Sequence, residues 1–203
     1  MDKARYFISI FKKAEKKFGN SKKRLAGDAW SEPWQTLITT ILSAQSRDEV
    51  TIPIAETLFR NYPSLDNIAN ADYSEIFKII KPINYNKTKT KNVIKASRLL
   101  IENFSGKIPE NMEDLLKIPG VGRKTANLVL TTIHNKDSIC VDTHVHRISN
   151  VLGLVKTKTP EQTEYALKKI VPKKYWSRIN RLFVLWGKSV SGRDRERLLR
   201  GLE

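Results

Sequence analysis

Apolar residues recur at three- and four-residue intervals along almost the whole chain, as in Phe7, Ile10, Phe11, Ala14 and Phe18, and again in Leu37, Ile38, Ile41 and Leu42. That spacing gathers them on one face of a helix, whereas a half-buried strand would alternate apolar and polar positions, and no stretch does so for long. The pattern predicts an all-α protein of about ten short helices. Helix starts are marked by Ser31 before Glu32-Pro33, Asp72 before Tyr73, Asn111 before Met112, and Thr159-Pro160 with Gln162 completing a capping box. Long helices are expected over Thr88 to Phe104, Arg123 to His134 and Trp176 to Ser189, and Pro53 places the start of the helix near Thr51 just before it. No low-complexity or Gly/Ser linker interrupts the 203 residues, so any second domain is packed rather than tethered.

Charge narrows the range of partners. Lys and Arg number 37 against 21 Asp and Glu, a formal net charge of +16, which suits a polyanion and above all nucleic acid. The basic residues are spread from Lys12 through Lys87, Lys89 and Lys91 to Arg193, Arg195 and Arg197, so charge alone does not place the interface. The single cysteine, Cys140, excludes an internal disulfide, and His134, His144 and His146 supply no separated ligand pairs for zinc. Apolar runs fall short of the ~20 residues that a membrane span needs, and the amino terminus is charged and amphipathic. A soluble, intracellular protein, cytoplasmic or nucleoid-associated, is expected, with no membrane partner.

The most informative segment is LLKIPGVGRKTANLVL, Leu115 to Leu130. One helix ends at Lys117-Ile118, Pro119 stops it, Gly120 and Gly122 permit a tight turn, and a second helix begins near Arg123. This is a helix-hairpin-helix pattern. The amides of Val121, Gly122 and Arg123 would meet a DNA phosphate at the positive end of the second helix, without reading sequence, and Thr125 lies in its first turn. Eighteen residues after Lys124, Asp142 precedes the helical pattern Val145, Ile148, Val151, Leu152, where an N-cap belongs. Taken singly, Lys124 reads as a phosphate contact or a nucleophile, and Asp142 as a cap or a catalytic carboxylate. The pair at this separation favours chemistry.

From about Pro33 to Trp186 the chain resembles endonuclease III, a bifunctional DNA glycosylase and abasic-site lyase of the helix-hairpin-helix superfamily. The matching blocks are LITTILSAQSRD (Leu37 to Asp48), IPGVGRKTANLVL (Ile118 to Leu130) and VDTHVHRISN (Val141 to Asn150). The resemblance implies two helical lobes with a cleft between them: a central lobe over residues 30–140, ending in the hairpin, and a second, discontinuous lobe of residues 1–29 plus 141–203. It implies Lys124 as the catalytic lysine, Asp142 as the catalytic aspartate, Gln45 and His144 in the substrate pocket, and Gln45 as a residue inserted where the damaged base has left the stack. A second wedge falls in INYNKTK, Ile83 to Lys89; the family usually has Gly-hydrophobic-Tyr there, whereas this chain has Asn84, Tyr85 and Asn86, which puts Tyr85 in the wedge position.

The implied partner is double-stranded DNA bearing a damaged base or an abasic site, bound by a monomer. Oxidised or ring-saturated pyrimidines are the family's substrates. The amine must be neutral to attack, and partial burial, the neighbouring Arg123 and the positive helix end all disfavour its charge. Many relatives end in a four-cysteine loop holding a [4Fe–4S] cluster. Here the chain runs KSVSGRDRERLLRGLE after Gly187, with Ser191 where the first cluster cysteine would fall, so no cluster and no required cofactor are expected. Arg193, Arg195, Arg197 and Arg200 on a short terminal helix are expected to take over its phosphate contacts. A monovalent cation at the hairpin carbonyls of Ile118 and Val121 is implied by resemblance alone. Two other readings stay open: a monofunctional glycosylase acting on uracil or thymine mismatched with guanine, whose known examples lack a lysine at the position of Lys124, and a non-catalytic DNA-binding module using the hairpin only.

Overall fold

A computed structural model describes residues 2–203. Among them there are twelve α-helices and no strand: α1 (Lys3–Phe18), α2 (Pro33–Ser43), α3 (Asp48–Asn61), α4 (Leu65–Ala69), α5 (Tyr73–Ile80), α6 (Asn86–Phe104), α7 (Met112–Lys117), α8 (Arg123–Thr132), α9 (Thr143–Val151), α10 (Pro160–Ile170), α11 (Trp176–Ser189) and α12 (Arg195–Arg200), with a 3₁₀ turn at Lys173–Tyr175 before α11. The all-α expectation holds. Asp72, Asn111 and Thr159 cap their helices through side-chain oxygens as predicted. The first cap of α2 is Glu32 rather than Ser31, with Glu32 N–H donating to Gln35 Oε1 at 3.3 Å. Gln162 does not close its box on Thr159, because its side-chain oxygen accepts from Lys158 N–H instead.

Pro53 lies inside α3, five residues past its start at Asp48, and not at the helix entrance. Proline removes the amide that would have bonded to Glu49 and crowds that carbonyl. The helix nevertheless continues because Thr51, Ala55, Leu58 and Phe59 are all buried on one face, so tertiary packing outweighs the local penalty.

The chain forms two compact units, one of Arg24–His134 and the other of the chain up to Lys23 together with Asn135–Glu203. The joins fall at 23/24 and 134/135, several residues from the 29/30 and 140/141 expected. Arg24 goes with the first unit through an ion pair to Glu56 at 2.7 Å, and the Ala26 amide donates to Asp48. Ile139 and Val141 belong to the other core, packed with α9 residues.

In the Arg24–His134 unit, Leu37, Ile38, Ile41 and Leu42 of α2 form the middle of a core with Leu58, Ile76, Ile80, Val93, Leu100 and Val129. Burying each such side chain fully contributes about 1.5–3 kcal/mol, which is what holds short helices that would be unstable alone. The second unit is built on Phe7 and Phe11 of α1, Val145 and Ile148 of α9, and Ile179, Phe183 and Trp186 of α11. Trp186 Nε1 donates to the Leu198 carbonyl at 3.1 Å, fastening α12 beneath α11.

Candidate active site

The hairpin forms as α7, a turn at 118–122, and α8. Gly120 adopts φ +85°, a left-handed conformation that side chains resist, and a Cβ there would lie 2.9 Å from Ile41 Cγ2 and 3.0 Å from Asn92 Nδ2. Its glycine is required by packing. Gly122 differs: it is the N-cap of α8, with extended backbone, and a Cβ on it would meet nothing within 4 Å. It faces open space. Val121 is buried, and its N–H donates to the Ile118 carbonyl at 3.0 Å within the turn. The Val121 amide is therefore occupied within the turn, contrary to the expectation that it meets phosphate. Thr125 is likewise buried.

Lys124 is the second residue of α8, next to Arg123 and at the positive end of the helix. Its side chain is exposed. The partial burial expected of it is not found.

Gln45 lies past the end of α2, which stops at Ser43, and holds φ 54°. Tyr85, the N-cap of α6, holds φ 58° and is 65% exposed. Both expected wedges are thus exposed residues in left-handed backbone, a combination rare for residues with side chains. Asn84 Nδ2 donates to the Gln45 carbonyl at 2.7 Å and joins the two loops.

Sequence reasoning overlooked Lys89. It is only 5% exposed, and its ammonium donates to Leu42 O at 2.8 Å, Ala44 O at 2.6 Å and Ser46 Oγ at 3.0 Å. Burial pulls its pKa down to about 8. A signal existed: Lys89, Val93, Ala96 and Leu100 share the spacing of one helix face, and the last three are core residues.

In the other unit, Asp142 is the N-cap of α9 and accepts from Val145 N–H at 2.8 Å. That bond is made by Oδ1, one of the two carboxylate oxygens. His144 is half-buried with its ring against Gly187, where a Cβ would overlap the imidazole. Arg147 donates to the carbonyls of Gly187 at 3.1 Å, Val190 at 3.0 Å and Gly192. Burial lowers its pKa; the nearby Asp142 charge raises it and Arg193 lowers it again. Arg193, Arg195, Arg197 and Arg200 are all exposed, with Arg195 resting on Tyr6 through a 3.2 Å hydrogen bond and its ring face.

Residues 38–173 match the HhH-GPD superfamily of base excision DNA repair proteins. The chain is 44% identical over 160 residues to endonuclease III of Thermotoga maritima, covering 79% of this chain and 75% of that protein. It belongs to the endonuclease III family. Endonuclease III of Bacillus subtilis is 35% identical over 159 residues, covering 78% and 73% of the two chains. The fold is similar to that of a trapped endonuclease III–DNA covalent intermediate, with a TM-score of 0.84 and 30% identity over 91% of this chain and 86% of that one. A non-covalent endonuclease III–DNA complex matches equally well. This endonuclease III family member is a DNA-binding base excision repair enzyme.

Its residues do not fit a [4Fe–4S] cluster. Four thiolates are needed, the sequence holds one cysteine, and Cys140, which is buried, precedes α9 rather than following α11. Among the described residues no group of three or more His, Cys, Asp or Glu is arranged to hold a metal ion, and no helix is long and apolar enough to cross a membrane. The end of α11 and the residues after it, from Gly187 to Gly192, where the cluster would begin, are instead gathered by the Arg147 guanidinium.

Proposed function

We propose that this DNA glycosylase and abasic-site lyase acts through Lys124 as nucleophile and Asp142 as its carboxylate, on damaged pyrimidines in double-stranded DNA. The observation that carries the reading is the exposed lysine in the first turn of α8, two residues past a glycine that leaves the helix end open to phosphate. A DNA backbone gripped there presents its sugar to a primary amine.

The steps follow from that placement. As the C1′–N bond to the base breaks, positive charge develops on the sugar, and the Asp142 carboxylate stabilises it. Lys124 Nζ bonds to C1′, loses its proton and gives a Schiff base as the sugar ring opens. The imine makes the C2′ proton acidic; its removal expels the 3′ phosphate by β-elimination, and water then hydrolyses the imine to free the lysine. Because Lys124 is exposed in the free protein, stripping water from the amine falls to the bound DNA. The damaged nucleotide must leave the stack to be reached, and Gln45 and Tyr85 fill the space it vacates.

Oxidised or ring-saturated pyrimidines are the proposed substrates, taken by a monomer, with Gln45 and His144 as the residues proposed to contact the damaged nucleotide. A monovalent cation would be held by the carbonyls of Ile118 and Val121, where it would add positive charge for phosphate. Duplexes carrying single thymine glycol, dihydrouracil, uracil, G·T or 8-oxoguanine lesions test specificity. Excision of the first two, with strand nicking, is expected. Release of uracil or thymine from mismatches without nicking would favour a monofunctional enzyme instead. Lys124→Gln and Asp142→Asn are expected to keep DNA binding while losing turnover.

A further inference from the structure

The turn that carries Gln45 is held by groups that the reaction itself does not use. Leu42 is among the last residues of α2, where carbonyls lack partners within the helix and the dipole favours a cation. Lys89 reaches across from α6 to take that carbonyl, the Ala44 carbonyl and the Ser46 hydroxyl together. Asn84 takes the Gln45 carbonyl. Each residue from Ala44 to Ser46 is thus tied by a polar contact to the stretch Asn84–Lys89, while the Gln45 side chain stays exposed. Tyr85 sits within that same stretch, and its own carbonyl accepts from Lys89 N–H at 2.9 Å.

We propose that Lys89 is a positioning residue that, with Asn84, locks the Gln45 turn and the Tyr85 turn into one rigid two-pronged wedge, formed before DNA arrives. Left-handed backbone at a residue with a side chain persists only where the surroundings hold it, and here the holding groups are the Lys89 ammonium and the Asn84 amide. The burial of Lys89 has the same meaning: a lysine kept from water survives where its donors are satisfied, and all three have acceptors. The clamp also tolerates loss of a proton. A neutral amine still donates to two carbonyls and accepts from the Ser46 hydroxyl.

This inference rests on the reading of Gln45 and Tyr85 as wedges beside a Lys124 nucleophile, and substrates of one chemistry separate the two. Strand nicking is measured on an abasic site in duplex DNA, where a nucleotide must be everted, and on the same site in single-stranded DNA, where no wedge is needed. Lys89→Met is expected to slow nicking of duplex roughly 100-fold, the effect of a misplaced positioning group, and to leave single-stranded nicking within about threefold of wild type. A 2-aminopurine opposite the abasic site should brighten on binding wild type, as the wedge unstacks it, and stay quenched with Lys89→Met. Asn84→Gly, on the surface, should show the same selective loss at about three- to tenfold, and it decides the matter if Lys89→Met does not fold. Equal losses on both DNA forms, or unchanged duplex nicking and fluorescence, overturn the proposal. Absence of nicking by wild type on either DNA would instead overturn the Lys124 reading.

Discussion

The two hairpin glycines give a sharp contrast. Replacing Gly120 by alanine forces a side chain into left-handed backbone at φ +85°, a penalty of about 1–2 kcal/mol. The new Cβ also presses on Ile41 Cγ2 at 2.9 Å and on Asn92 at 3.0 and 3.1 Å, both in elements of the same core, which adds about 1–3 kcal/mol of overpacking. The total of roughly 2–5 kcal/mol corresponds to a fall in melting temperature of about 5–15 °C for a chain of this length. Replacing Gly122 by alanine meets no atom within 4 Å and no backbone strain. A slightly poorer N-cap is offset by a less flexible unfolded chain, so stability should stay within about 0.5 kcal/mol. Its methyl group, however, stands where phosphate must approach, and duplex affinity should fall about tenfold, or ~1.4 kcal/mol. Thermal melts and fluorescence anisotropy on a duplex with an uncleavable abasic analogue measure both. A wild-type melting temperature for Gly120→Ala, or unchanged affinity for Gly122→Ala, refutes this division of labour.

Further outcomes follow from the same geometry. Lys89 has a folded pKa near 8 against an ordinary 10.5, so between those values the unfolded chain holds more protons and stability rises with pH. Wild type should therefore gain on Lys89→Met by about 2–3 kcal/mol between pH 8 and 10.5 in denaturant titrations; an opposite slope contradicts the burial argument. Arg147→Met releases the carbonyls of Gly187, Val190 and Gly192 and is expected to lower stability by about 3 kcal/mol, read from melting curves. Neutralising Arg193, Arg195, Arg197 and Arg200 together should reduce the slope of log affinity against log salt by up to about 3–4 while leaving nicking at saturating enzyme intact, and an unchanged slope removes these arginines from the interface.

Much of this was legible in the sequence because it depends on local rules. The hairpin boundaries, the Asp142 cap and the helix over Trp176–Ser189 follow from Pro, Gly and Asp placement and from apolar spacing. What was not legible depends on contacts distant in the chain. The continuation of α3 through Pro53 comes from its buried face, and the occupied Val121 amide from the exact path of the turn. Lys89 looked like one of three surface lysines, since a charge is normally solvated, although its register matched the buried stripe of α6. The left-handed backbone at Gln45 and Tyr85 leaves no mark in residue type at all. Arg147 was invisible for a similar reason, as its acceptors lie 40 or more residues away.

The central assignment is the amine that carries the sugar. Borohydride reduction during reaction with an abasic duplex, followed by digestion and mass spectrometry, identifies it directly. A single cross-linked peptide with the nucleotide remnant on Lys124, and no adduct from Lys124→Gln, is the predicted result. An adduct on another lysine, or undiminished trapping by Lys124→Gln, contradicts the account.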